Sequence, residues 1–145
     1  MSLGGSYLLN VGPSAEGEIT ENYARRLRLI GDWFNRMEGC LDDVEHDSFN
    51  YESRANKCVA TKKNGKTYLH FYDGVRSSAI AIKNYPNVPK RVRLMNTGAD
   101  LPCAAERLPE FFNGKTGVAE TVYLHIWNIP ADALCDEPVV VEIEW

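Results

Sequence analysis

The carboxylates of this sequence crowd one place. Residues 40–55 read CLDDVEHDSFNYESRA and carry Asp42, Asp43, Glu45, Asp47 and Glu52 in one short run. Clustered carboxylates are what a hard cation such as calcium takes, but this spacing is not that of an EF-hand loop. A solvated acidic loop is the simpler reading. Nor does the run offer an apolar pocket, which is what separates a carboxylate pair into acid and base. The three histidines, His46, His70 and His125, do not cluster in sequence. No Ser/His/Asp or Cys/His pattern with local context points to a nucleophile. Cys40, Cys58, Cys103 and Cys135 form no CxxC pair, so zinc spacing is absent. An even number of cysteines permits two disulfides, yet the density is low for a stapled scaffold, and buried free thiols are the plainer expectation. The compartment stays open. Gly4, Gly5 and Gly12 make no phosphate-binding loop of known spacing. The residues alone therefore give no catalytic group, no metal site and no cofactor.

The whole chain narrows the classes further. It has 145 residues, 44% hydrophobic and 25% charged, with a formal charge of −4. That is enough for one domain with a core of its own. No basic stripe exists, so a nucleic-acid partner is not expected. The apolar runs fall far short of the ~20 residues that span a bilayer, so no membrane partner is expected either. No charged-then-apolar signal segment opens the chain, and any export signal is expected upstream of it. Residues 1–5 read as a leader outside the fold.

The elements that must position any site come in two styles. The stretch Tyr7-Leu8-Leu9-Asn10-Val11 is apolar on both faces and stops at Gly12-Pro13. It reads as a strand buried on both sides, as in a parallel sheet. A helix follows, with Thr20 as its N-cap and Gly39 suited to the turn after its end. Tyr23, Leu27, Ile30, Phe34 and Met37 make one apolar stripe, widened by Leu29 and Trp33. Glu21 with Arg25, and Asp32 with Arg36, are favourable i,i+4 pairs. From residue 57 the period changes to two. Runs 57–63 and 66–73 flank Asn64-Gly65, a strong hairpin signal. Further strands are expected at 78–85, 90–95, 101–107, 121–127 and 139–145, with 109–117 as a loop carrying Phe111 and Phe112. Phe49 and Tyr51 are expected to tie the acidic run down. Seven short strands with turns between them argue an antiparallel β-sandwich.

One strand–loop–helix unit cannot be a fold by itself. Its wording, YLLNVGPSAEGEI followed by ARRLRLIGDWF at 24–34, closely resembles the last strand and last helix of the catalytic barrel in alpha-L-fucosidases, the glycoside hydrolases of family 29. The rest of the chain looks, more loosely, like the β-sandwich that follows the barrel there. The resemblance implies a mainly β chain, an antiparallel sandwich preceded by one strand and one α-helix left over from a (β/α) barrel. It divides the chain into residues 6–39 from the barrel, an acidic linker at 40–55 and the sandwich at 56–145. It implies a parent that hydrolyses terminal alpha-L-fucosyl bonds with retention, using two carboxylates about 5–5.5 Å apart. Neither of these has a matching position here, so the chain alone is expected to be inactive and the sandwich to stabilise the barrel. Asn10, at the C-terminal end of the barrel strand, is the one candidate for contact with substrate. The partners implied are the barrel of the same parent chain and a fucosylated carbohydrate. Without the barrel, residues 6–38 should fold back onto the sandwich or pair two copies as a homodimer through the helix. The alternative is a carbohydrate-binding module, with Tyr68, Tyr72, Tyr123, Trp127 and Trp145 as stacking candidates.

Overall fold

Asn64 and Gly65 both take left-handed backbone angles, with φ of 50° and 76°. A two-residue turn of that hand matches the twist of the strands it joins. It closes β2 (Val59–Lys63) onto β3 (Lys66–Phe71), with Ala60 opposite Leu69 and Thr61 opposite Tyr68. Around this hairpin the computed structural model, which describes residues 5, 7–47, 57–83, 87–111 and 118–145, builds two antiparallel sheets. The other strands are β1 (Glu45–Asp47), β4 (Ala79–Lys83), β5 (Arg91–Leu94), β6 (Cys103–Phe111), β7 (Val118–Trp127) and β8 (Val139–Glu144). The order is β1-β2-β3-β8-β5 in the larger sheet and β4-β7-β6 in the smaller. A mainly β antiparallel sandwich with one helix, α1 (Glu21–Arg36), is what the period-two patterning demands.

The core lies between the sheets. Leu69 and Phe71 of β3, Val92 and Leu94 of β5, and Val139, Val141 and Ile143 of β8 face Ile80, Ile82, Leu124 and Ile126. Burying each such side chain stabilises the fold by about 1.5–3 kcal/mol before the entropy of ordering is set against it. The outer face of the larger sheet is covered too. Tyr68, Met95 and Val140 pack there with Met37 and Cys40, from the end of the helix.

The structure corrects four expectations. Residues 7–11 form no strand, and Tyr7 and Leu8 are 79% and 82% exposed. A strand apolar on both faces needs parallel neighbours, and the described residues supply none. The acidic run is not a free linker, because Glu45, His46 and Asp47 pair with Lys62, Thr61 and Ala60 as an edge strand. Short, charged strands are how sheet edges are protected. The expected loop at 109–117 begins as strand, since β6 runs to Phe111 and pairs Pro109 with Glu120; residues 112–117 lie outside the described residues. Proline is tolerated there because β6 is an edge. Finally, the stripe of α1 does not lie back on the sandwich along its length, as the next section details. Phe49, Tyr51, Glu52, Phe112 and residues 1–4 lie outside the described residues.

Candidate functional site

Among the described residues, the bonds and buried side chains that tie the helix to the sandwich lie at its last turn and just beyond. Thr20 stands at the N-cap with extended backbone, but its hydroxyl makes no capping bond. The expected i,i+4 pairs give way to others: Arg28 reaches back to Glu21 at 2.9 Å, and Arg36 leaves the helix for Glu137 at 2.5 Å. Beside it, Trp33 Nε1 donates to the Pro138 carbonyl at 3.0 Å, and Met37 is buried. The 137–138 segment is itself held by Asn96. Its Nδ2 donates to Glu137 Oε1 at 2.7 Å and to the Pro138 carbonyl at 3.0 Å, and its Oδ1 accepts from Val140 N at 2.9 Å. Between helix and segment lies a groove of about 700 Å³ floored by Leu29, Ile30, Trp33 and Pro138. Most of the remaining stripe stands in solvent, with Tyr23, Ile30 and Phe34 41%, 50% and 41% exposed, while Leu27 is half-buried.

Under the docked turn lies a cluster of polar groups on the outer face of the larger sheet. Glu142 is buried between Lys66 Nζ at 3.1 Å and Arg93 Nε at 3.3 Å. The Arg93 Nε–H is not aligned for a hydrogen bond, so that contact is an ion pair alone. Tyr68 bonds to Glu142 as well, and burial with that carboxylate beside it pushes the phenol up to about 12. Across the face, Thr61 Oγ1 donates to the Cys40 carbonyl at 3.3 Å and sits 2.9 Å from His70 Nε2. Burial lowers the His70 imidazole to about 4. Burial, with Asp42 adding to it, raises the Cys40 thiol to about 12. A carboxylate committed to two cations and a thiol this hard to ionise are built to hold the face, not to react.

The residues singled out from the sequence are scattered. Asn10 is exposed, in a segment without regular structure. Cys40, Cys58, Cys103 and Cys135 form no disulfides among themselves. Of the acidic run, Glu45 pairs with Lys62 at 3.5 Å, and no group of three or more metal-binding side chains gathers among the described residues. His125 lies on the outer face of the smaller sheet, its Nδ1 3.0 Å from Glu106. Tyr68 and Tyr123 are buried, and Trp145 is half-buried with Nε1 on Thr67 Oγ1 at 3.0 Å. Tyr72 is exposed, and Trp127 is half-buried. Sequence reasoning missed Glu142, Asn96 and Thr61. Alternation sets Glu142 on the face opposite Val141 and Ile143, and only knowledge of what covers that face turns it into a buried charge.

Comparison with known proteins converges on one family. The sequence profile described as Alpha-L-fucosidase matches residues 1–38. The tissue alpha-L-fucosidase of Mus musculus is 30% identical over 86 residues, which is 58% of this chain and 19% of that protein. The crystal structure of Thermotoga maritima alpha-fucosidase with a mechanism-based inhibitor superposes with a TM-score of 0.70 at 22% identity, covering 99% of this chain and 31% of that one. The alpha-L-fucosidase of Vibrio sp. strain EJY3 gives 0.63 at 25% identity, over 99% and 23%. The chain thus spans about a fifth of the curated relative it matches and under a third of these solved structures. In the wording of its opening and in the fold of nearly its whole length, the chain is similar to the C-terminal region of the alpha-L-fucosidases.

Proposed function

We propose that this chain is the non-catalytic C-terminal region of an alpha-L-fucosidase, whose chemistry resides in a (β/α) barrel, and that the sandwich stabilises that barrel. Residues 6–39 supply the barrel's last strand and helix, 40–55 the crossing and 56–145 the sandwich. The observation that carries this reading is the division of α1. Its last turn is fixed to the sandwich, while Tyr23, Ile30 and Phe34 hold an apolar stripe that no described residue covers fully. A helix in the outer ring of a barrel buries such a stripe against the barrel wall. In that setting residues 7–11 gain the parallel neighbours they lack here, and Asn10 comes to the strand end where barrels build their sites, placed to bond a sugar hydroxyl or orient a loop. The partners of this surface are then the barrel of the parent chain and, through it, a fucosylated carbohydrate. In the chain by itself, the same stripe would pair two copies. The buried Glu142 is no substitute for a catalytic carboxylate, because Lys66 and Arg93 already claim it.

The test is hydrolysis of a chromogenic alpha-L-fucoside by this chain and by the full-length product of the same gene. Activity in the full-length protein alone is expected. Activity in the 145-residue chain would mean the carboxylates are misplaced, and activity in neither would remove the fucosidase reading.

A further inference from the structure

The sandwich has a second outer face, on the three-stranded sheet. Ile80, Ile82, Leu124 and Ile126 turn inward, so their neighbours in β4 and β7 turn out. Trp127 and His125 stand there side by side, ring centroids 5.2 Å apart and planes tilted by 48°. Three positions around them are small, while Tyr123, two residues before His125 on the same face, is a large buried wall. Ala79 is opposite Trp127, and Ala81 and Ala104 flank His125 on either side. Glu106, on the edge strand, holds His125 Nδ1 at 3.0 Å. A tryptophan here cannot be filling the core, which Leu124 and Ile126 already fill from the same strand.

We infer that this face is a sugar-binding platform, taking a neutral pyranose ring on Trp127 with its hydroxyls on His125 and Glu106. The indole offers a flat apolar surface to the C–H face of a pyranose. The methyl groups of the three alanines leave room for a ring to lie flat beside it. The imidazole and the carboxylate together give a donor and an acceptor at fixed positions, which is what a pair of neighbouring hydroxyls takes. A carboxylate at the rim disfavours acidic sugars. The platform is on the smaller sheet, whereas the end of α1 packs on the outer face of the larger one. That the ring is a fucosyl group rests on the fucosidase reading, whereas the binding of a neutral pyranose does not.

The experiment is a titration of the full 145-residue chain with methyl alpha-L-fucoside, methyl beta-D-galactoside and glucuronate, following tryptophan indole N–H signals by NMR. Expected is a saturable shift of the Trp127 signal with a neutral sugar at millimolar concentration, and at least ~tenfold weaker binding of glucuronate. Trp127→Ala should abolish it. Ala104→Arg, which lays a long side chain over the platform and removes no packing, should abolish it as well, and it decides the matter should Trp127→Ala fail to fold. No shift with either neutral sugar, glucuronate binding as tight as the fucoside, or binding unchanged in Ala104→Arg would overturn the inference. A full-length protein inactive on fucosides would sink the fucosidase reading and leave this titration standing. A silent titration beside an active full-length protein would sink the platform alone.

Discussion

Replacing Glu142 by glutamine is the sharpest perturbation available on the covered face. The residue is 3% exposed, with Lys66 at 3.1 Å and Arg93 at 3.3 Å. At an effective dielectric near 20, a unit pair at that separation is worth roughly 5 kcal/mol. Desolvating the carboxylate costs several kcal/mol, which cancels much of the gain, so the net worth of the cluster is modest. Removing one partner is a different matter, because the cations then face a neutral amide. For fully buried pairs that loss is about 3–5 kcal/mol. Here the cationic side chains are 35% and 32% exposed, and water recovers part of their solvation. Glu142→Gln should therefore cost about 2–3 kcal/mol. Urea unfolding followed by tryptophan fluorescence should show a lower midpoint with an unchanged slope. Glu144→Gln, two residues on and half-exposed, should stay within ~0.5 kcal/mol and serves as the comparison. A loss below ~1 kcal/mol for Glu142→Gln, or an equal loss for Glu144→Gln, would refute the claim that this charge cluster holds the face.

Three further outcomes follow from the same geometry. His70 titrates near 4 when folded and near 6.5 when unfolded, so the unfolded chain binds the extra proton between those values. Stability should be flat above pH 6.5 and fall as pH drops from there towards 4, by on the order of 3 kcal/mol, a slope that His70→Gln should flatten in pH-dependent urea melts. A thiol reagent at neutral pH should label exposed Cys135 quickly and Cys40 only through opening of the helix end, and Glu142→Gln should speed the second reaction; fast labelling of Cys40 in the native chain would count against the docking. Ile30→Ser with Phe34→Ser should change the melting of this chain little, since both sites are half in solvent, yet lower the thermal stability of the full-length protein; equal effects in both would remove the helix face as the barrel contact.

How much of this was legible varies with the range of the interaction. The β2–β3 hairpin could be read from Asn64-Gly65 because its turn and its partners are local. The strands at 90–95, 121–127 and 139–145 were legible for the same reason, since alternation is a property of one strand. β1 was not, because Glu45-His46-Asp47 has no strand propensity of its own and exists only as the partner of β2. The length of β6 was hidden by Pro109, which reads as a breaker until the strand is known to be an edge. The strand reading at residues 7–11 met the opposite difficulty, a local pattern whose partners the described residues do not include. Asn10 shares that fate, and the Trp127 platform shows the converse. Its members sit on three strands, and only pairing β4 and β6 to β7 brings Ala79, Ala81, Ala104 and Glu106 beside the two rings.

The burial of Val140 and Glu142 says where the mechanical division of the chain falls. The sequence places a break after Gly39, with an acidic tether beyond it. The contacts place Met37, Cys40 and Leu41 in one apolar cluster with Tyr68 and Val140, and fix Trp33 and Arg36 to the 137–138 segment. Glu45–Asp47 of the tether is thus a strand of the sheet, and the firm connection runs through the last turn of α1. If the first three turns of that helix serve a barrel, a single helix is shared between two bodies, with no hinge between them. The orientation of the sandwich is then set by the rigidity of sixteen helical residues rather than by a loop. A helix shared in this way must be apolar on one side along its length and anchored at one end only, and that is the pattern of exposure from Tyr23 to Met37.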